Sequence, residues 1–167
     1  MNKVRTQAAD RNSLGSVNDS MGYLVRRTYR NMTRGLEVRL QQHGVTLSMW
    51  FFLRLLWEGD GWTQKELTEE LGLRQPTTVS AMDTLEKRGL VRRAPNPDDR
   101  RSTLIYLTKA GRDIREKLFR YADEANMLAL KDMTAEEIRT LRKLLLKINE
   151  TLEHNKALPT SARNKSP

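Results

Sequence analysis

The sequence predicts a mainly α-helical (α+β) fold, in which long helices flank a compact unit that contains one β-hairpin. Apolar residues recur with helical spacing over most of the 167 residues,. Two short helical segments are joined by Leu71-Gly72-Leu73, and two alternating segments follow, separated by the turn Pro95-Asn96-Pro97-Asp98-Asp99,. Two short helices followed by a hairpin predict a winged helix-turn-helix, a shape suited to reading both grooves of DNA.

The charge of the chain favours a polyanionic partner, most often nucleic acid. The formal net charge is +9 and the pI is about 10.1,; a merely solvated basic surface is the alternative. The sequence has no cysteine, which excludes disulfides and thiolate zinc sites, and only two histidines, His43 and His154,. No apolar run approaches the ~20 residues of a membrane span, and no secretory signal is present. We expect a cytoplasmic protein without membrane contact, metal or cofactor.

The first long helix is predicted from about Val17 to His43, with Gly44 as its stop,. Its apolar stripe consists of Met21, Leu24, Val25, Thr28, Met32, Leu36 and Leu40, and arginines occupy its other faces. We expect residues 1–15 to be a flexible N-terminal arm and residues 16–44 to be a dimerisation helix.

Residues 45–110 are predicted to form the DNA-binding region. A helix from Ser48 to Glu58 is apolar nearly all round, so it should be central and buried,. Thr63 and Glu66 form a capping box for the next helix,. A further helix starts near Gln75, with an inward stripe of Thr78, Ala81, Met82 and Leu85,.

Residues 111–154 are predicted to be C-terminal dimerisation helices, and residues 155–167 a disordered basic tail. Thr108 should cap one long helix, and Thr134 with Glu137 should form a second capping box before the last helix,. The apolar stripes of the long helices need a partner. A second copy of the chain is the simplest one, giving a two-fold dimer; packing within one chain is the alternative.

The helix that starts near Gln75 carries the residues predicted to read DNA. Gln can bond adenine bidentately, Thr and Ser can bond bases or phosphates, and an exposed Val79 would suit a thymine methyl group. The helix N-terminus also favours phosphates. A polar cap on a structural helix is the alternative reading. The predicted contacts are Arg74, Gln75, Pro76, Thr77, Val79 and Ser80.

The hairpin tip is basic. Arg92, Arg93, Arg100 and Arg101 surround two aspartates, and the segment from Arg74 to Arg101 contains seven basic and four acidic residues, a net charge of +3. An arginine at such a tip can enter the narrow minor groove of A·T-rich DNA. We expect Asp99 to brace Arg101 for this contact, with Arg100 as a second candidate; an ordinary surface ion pair is the alternative.

The segment from Thr63 to Gly111 resembles the winged helix-turn-helix of the MarR family of bacterial transcriptional regulators. The resemblance is carried by TQKELTEELGL, QPTTVSAMDTLEKRGLV, NPDDRRSTLIYLT and the following KAG. It implies a two-fold dimer that binds a pseudo-palindromic operator in double-stranded DNA, usually represses, and is often released by an aromatic acid or related anion. It also implies that Gln75–Arg88 is the recognition helix and Arg101 the minor-groove arginine. Many members carry a long basic residue where this chain has Ser80, and the peroxide-sensing branch needs a cysteine that this chain lacks.

In that family the effector pocket lies between the dimerisation helices and the DNA-reading unit. The residues here that could line it are Tyr23, Arg27, His43, Trp50 and Arg54. An aromatic wall with an arginine would suit an aromatic carboxylate. The alternatives are that Trp50 is simple core and that His43 lies near the C-terminal dipole of a helix.

These observations favour a ligand-responsive, dimeric, sequence-specific DNA-binding regulator. A non-specific architectural DNA-binding protein is the alternative, and it predicts equal affinity for all duplexes. An enzyme has no support, since the sequence shows no Gly-rich phosphate loop, no G-x-S-x-G and no cysteine nucleophile,.

Overall fold

The structure is a computed structural model, and it describes residues 16–154. The predictions for residues 1–15 and 155–167 lie outside the described residues. In chain order the elements are a 3-10 turn (Val17–Asp19), α1 (Met21–Gln41), α2 (Leu47–Glu58), β1 (Trp62–Thr63), α3 (Gln64–Glu70), α4 (Gln75–Lys87), β2 (Val91–Pro95), β3 (Thr103–Leu107), α5 (Lys109–Asp113), α6 (Arg115–Leu130) and α7 (Ala135–His154). Within this part of the chain, no helix has both the length and the apolar character that a membrane span requires.

The sheet has three antiparallel strands in the order β1-β3-β2. The predicted hairpin is confirmed, with a register that runs from Val91 opposite Leu107 to Pro95 opposite Thr103. The third strand, β1, was not predicted. It has only two residues, and Trp62 pairs with Ile105. So short a segment, followed at once by a helix, shows no alternation by which a sequence could reveal a strand.

The core is built around α2, as its apolar sequence predicts. Met49, Trp50, Phe52, Leu53 and Leu56 are buried on this helix, together with the predicted inward stripe of α4. The stripe includes one polar side chain, Thr78. Its hydroxyl accepts a hydrogen bond of 2.9 Å from the hydroxyl of Thr68, which satisfies it and links α4 to α3,.

Threonine caps begin several of the helices. The two predicted capping boxes, Thr63 with Glu66 and Thr134 with Glu137, are both present. In each box the hydrogen bonds to the threonine backbone and side chain lower the pKa of the glutamate. Thr46 caps α2, so that helix starts before the predicted Ser48.

The single long helix predicted after Thr108 is divided at Ile114 into α5 and α6. A hydrogen bond from a distant residue lies beside this division. Nε1 of Trp57 donates a hydrogen bond of 2.9 Å to the carbonyl oxygen of Gly111. In a continuous helix that oxygen would accept from the N–H of Arg115.

The chain divides into two compact units, one ending at Asn126 and the other starting at Met127. In the first unit, α1 buries only Leu36 and Leu40, and the N-terminal part of its apolar stripe is exposed. In the second unit, α7 buries no residue. Each unit therefore leaves apolar helical surface uncovered. The exposed apolar residues of α7 are Leu141, Leu144, Leu145, Leu146, Ile148 and Leu152.

Candidate nucleic-acid interface

The N-terminal end of α4 lies at the surface. Thr78 points into the core, while all six predicted DNA contacts on this helix are exposed: Arg74, Gln75, Pro76, Thr77, Val79 and Ser80. The exposed fraction of Val79 is 39%, which is high for an apolar residue in a helix that packs on a core. The structure thus brings these six residues together on one accessible helix end.

The start of α4 has no side-chain cap. Side chains accept a backbone hydrogen bond at the start of α1, α2, α3 and α5, whereas Arg74, the N-cap residue of α4, makes no such bond. Pro76 in the first turn has no N–H to satisfy,. The N–H groups of Thr77 and Thr78 donate to the carbonyl oxygen of Arg74. Within the first turn of α4, the N–H of Gln75 is thus the donor open to an external acceptor, which the positive end of the helix dipole favours.

The turn of the wing is held by its own polar residues. The side chain of Asn96 accepts from the backbone N–H of Asp98 at 3.0 Å and donates to the hydroxyl of Ser102 at 2.8 Å. Oδ1 of Asp99 accepts from the backbone N–H of Arg101 at 3.0 Å and lies 3.7 Å from its Nε. The predicted contact between Asp99 and Arg101 is therefore present. The Arg101 side chain is 96% exposed, so the pair projects into solvent.

Two of the four arginines expected at the tip lie elsewhere, which corrects that prediction. Arg93 turns back to α4, where its guanidinium pairs with Asp83 at 2.7 Å and with Glu86. Burial disfavours its charge, but the hydrogen bonds and charges of these carboxylates outweigh burial and raise the pKa of Arg93,. Arg92 lies over the ring of Tyr106, 4.6 Å from its centroid. Only Arg100 and Arg101 remain exposed at the tip.

Beside the start of α4 is a cleft of about 430 Å³ that the sequence did not indicate. Thr46 and Ser48 at the start of α2 face it, opposite Thr77 and Ser80 of α4. Four hydroxyl groups therefore line a space between two helix N-termini. The hydroxyl residues near the start of each helix were visible in the sequence, but their proximity depends on how α2 packs against α4. The lining residues are Thr46, Ser48, Met49, Pro76, Thr77, Ser80 and Ala81.

The five predicted effector residues are spread over α1, the turn that follows it and α2. Trp50 is 2% exposed and packs against Trp57 and Phe119, while the guanidinium of Arg54 lies 5.6 Å from the Trp50 ring centroid. His43 is instead stacked on Tyr121, with Nε2 3.2 Å from the hydroxyl oxygen. The structure brings Trp50 and Arg54 together. Tyr23 and Arg27 lie on the exposed part of α1.

The C-terminal end of α4 is held by Arg88, a residue that was not among the predicted site residues. Nη2 of Arg88 donates a hydrogen bond of 2.8 Å to the carbonyl oxygen of His43. The guanidinium fits there because the next residue is Gly44, at φ +60°, where any Cβ would overlap it,. The end of α1 and the end of α4 are thereby joined.

Residues 16–154 contain no cluster of His, Asp and Glu side chains that could hold a metal ion. The site is built from arginines, hydroxyl groups and backbone donors, which are groups that bind phosphates and base edges.

Comparison with known proteins agrees with this geometry. Residues 45–103 match the model of the MarR family. An organic hydroperoxide resistance transcriptional regulator of Bacillus subtilis is 30% identical over 130 residues, which cover 78% of this chain and 87% of that protein.

Solved structures extend the comparison. The Escherichia coli MarR C80S mutant complexed with operator DNA has a TM-score of 0.72 at 27% identity, covering 82% of this chain and 96% of that one. CouR from Rhodococcus jostii RHA1, bound to p-coumaroyl-CoA, has a TM-score of 0.71 at 25% identity, covering 89% of this chain and 99% of that one. With its winged helix-turn-helix, the exposed start of α4 and these relatives, the chain belongs to the MarR family of transcriptional regulators.

Proposed function

We propose that this protein is a dimeric repressor that binds a pseudo-palindromic operator and is released by a small aromatic or anionic effector. The observation that supports it most directly is the pairing of two exposed elements. The uncapped start of α4 presents Gln75, Thr77 and Ser80, and the adjacent wing presents Arg101. The first set suits base edges in a major groove, and the second suits the neighbouring minor groove.

Dimerisation follows from the surfaces that one chain leaves uncovered. The apolar stripe of α1 and the apolar face of α7 are exposed, and a second copy would bury both. We assign residues 16–44 and 111–154 to this role and residues 45–110 to DNA binding. A two-fold pair of recognition helices would reach successive major grooves, ~34–36 Å apart.

Release by an effector is proposed as a shift between two dimer geometries. In one geometry the two recognition helices have the spacing that the operator requires, and in the other they do not. An effector that binds the second geometry more tightly lowers operator affinity, by at most the ratio of its own affinities for the two geometries. The CouR structure with p-coumaroyl-CoA shows that a relative of this fold takes an aromatic, anionic ligand. Trp50 and Arg54 supply an aromatic ring and a cation in this chain.

The test is the capture of genomic fragments by the purified protein, followed by titration of the retained duplex. A specific regulator should bind the retained duplex at least about 10³-fold more tightly than a shuffled duplex of the same composition. Its affinity should also fall steeply with salt. Arg101→Ala should weaken binding to the retained duplex, whereas Arg120→Gln, an exposed change on α6, should not.

Equal affinity for the retained and shuffled duplexes would favour the architectural alternative over the regulator. An affinity that does not depend on salt, or no retained fragment at all, would refute DNA binding through this face. A protein that stays monomeric at micromolar concentration would refute the dimer.

A further inference from the structure

The first long helix carries an excess of positive charge. The 21 residues of α1 include five arginines and one glutamate, a net charge of +4. The other two long helices are balanced, since α6 has three basic and three acidic residues and α7 has four of each apart from His154. Almost half of the net charge of +9 therefore lies on α1.

Three of these arginines form a row along one side of α1, which we call the arginine row. Arg26, Arg30 and Arg34 follow one another at intervals of four residues, so the row is about 12 Å long,. All three are exposed. None of them forms an ion pair with an acidic residue in the part of the chain that the structure describes, whereas Arg39 on the same helix pairs with Glu124. Like charges four residues apart destabilise a helix, and here no carboxylate relieves their repulsion.

A row of guanidinium groups fits a line of phosphates. Guanidinium groups form strong hydrogen bonds with phosphate oxygens, and the backbone of DNA presents a regular series of negative charges. Tyr23, which is 37% exposed, lies three residues before Arg26 and so on the same side of the helix,. Its hydroxyl group adds a further donor for a phosphate oxygen.

A lipid surface fits this helix less well. A helix that lies on a membrane inserts its apolar face into the lipid, but Leu36 and Leu40 of the apolar face of α1 are buried in the core of the protein. The charge of the row and the partial burial of the opposite face therefore favour nucleic acid as the occupant.

We propose that the arginine row is a second DNA-binding surface, which holds the phosphate backbone and reads no bases. This surface goes beyond the proposed function, since it requires neither an operator sequence nor an effector. It also uses none of the residues at the start of α4 or on the wing, so a protein seated on its operator would keep the row for another stretch of DNA.

The test separates the arginine row from the proposed reading surface. A labelled duplex of random sequence is titrated at low salt with a reading-surface variant, which carries Arg74→Gln, Arg100→Gln and Arg101→Gln. The titration is repeated after the row changes are added to this variant, namely Arg26→Gln, Arg30→Gln and Arg34→Gln. A control adds instead three changes at exposed positions on α5, α6 and the turn after it, namely Lys109→Gln, Arg120→Gln and Lys131→Gln. The row changes and the control changes remove the same number of charges.

We expect the reading-surface variant to retain DNA binding, with a slope of log affinity against log salt of about −0.9 for each phosphate held. The row changes should weaken this affinity by at least about tenfold, and the control changes by less than about threefold. No binding by the reading-surface variant, equal affinity with and without the row changes, or an equal loss from the control changes would overturn the proposal.

Two further results would also overturn it. If the row changes dissociate a dimer in analytical ultracentrifugation, the arginines pair with carboxylates of a second copy. If they abolish binding to phosphatidylserine vesicles but not to the duplex, the occupant is a lipid surface. Because the duplex contains no operator, a failure to capture operator fragments would refute the proposed function without deciding this surface, and a row without effect would leave operator binding through α4 untouched.

Discussion

Nη2 of Arg93 lies 2.7 Å from Oδ1 of Asp83, so the first strand of the wing is ion-paired to the recognition helix. The backbone N–H of Arg93 also donates to Oε1 of Glu86 at 3.2 Å, and its guanidinium binds the second oxygen of that carboxylate. Asp83 and Glu86 share one face of α4 at i and i+3. These bonds set the position of the wing relative to the helix, the two elements that we propose to contact DNA together.

Removing the carboxylates of Asp83 and Glu86 tests whether Arg93 supports DNA binding by positioning the wing or by its positive charge. The double variant Asp83→Asn with Glu86→Gln makes the protein more positive, which alone would strengthen DNA binding. Because the wing loses its connection to α4, we expect operator affinity to fall by about tenfold, ~1.4 kcal/mol. Titration of the captured duplex measures this. The charge-matched control is Asp98→Asn with Glu136→Gln, which also removes two exposed carboxylates, neither of them paired with Arg93. Tighter binding by the double variant would contradict the positioning role.

Arg101 and Asp99 are expected to contribute unequally to DNA binding. Arg101→Ala should weaken operator binding and reduce the slope of log affinity against log salt by about 1, since one phosphate-region cation is lost. Asp99→Asn should weaken binding less, because their exposed ion pair at 3.7 Å is worth only ~0–1 kcal/mol,. Operator affinities of the wild type and both variants, measured at several salt concentrations, test both expectations. A slope that Arg101→Ala leaves unchanged would place this residue away from the DNA.

Gly111 is required by the close approach of two backbone segments. A Cβ at this position would overlap the carbonyl oxygen of Leu90, which cannot move as a side-chain end can. Gly111→Ala should therefore lower the free energy of unfolding by about 1–3 kcal/mol, as overpacking does. Gly35→Ala is the matched control. It lies in α1 with open space around it, and it should raise stability by up to about 1 kcal/mol. Denaturant unfolding of both variants gives the comparison, and a neutral Gly111→Ala would disprove the overlap.

His43 should make stability depend on pH. Burial first, and then the charge of Lys117, lower the pKa of His43, so the folded protein favours the neutral ring,. Arg39, whose guanidinium lies over the neighbouring Tyr121 ring, and Arg88, which binds the His43 carbonyl, add positive charge nearby. As pH falls through the ordinary histidine pKa of about 6.5, the unfolded chain takes up a proton first, and the folded state loses relative stability.

The melting temperature of the wild type should therefore fall more than that of His43→Gln between neutral pH and the lowered pKa, and the two should run parallel above neutral pH. His154 and the carboxylates are common to both proteins and cancel in the difference. Parallel curves throughout would show that the folded state does not disfavour the charged ring.

Features set by neighbouring residues could be predicted from the sequence. The capping boxes of Thr63 and Thr134, the inward stripe of α4 and the exposed Val79 all follow from spacing within one or two helical turns. Arg93 was placed at the tip although a local signal was present. It lies two residues after the buried Val91, so alternation puts both on the same face of β2,.

Features that depend on distant residues could not be predicted. The hydrogen bond from Trp57 to the Gly111 carbonyl, beside the division at Ile114, joins segments far apart in sequence, and so does the contact of Arg54 with Phe119. Helical periodicity identifies the buried face of each segment, but it does not show which segments become neighbours.

The uncapped start of α4 has a consequence for the unbound protein. A side-chain cap contributes about 1 kcal/mol to a helix, and Arg74 does not supply it to the one helix proposed to read DNA. A phosphate oxygen of an operator would accept from the N–H of Gln75, since the N–H groups of Thr77 and Thr78 already donate to the Arg74 carbonyl oxygen,. Operator DNA would then supply the cap that no side chain provides at the start of α4, and part of the binding free energy would come from this one contact with the helix end.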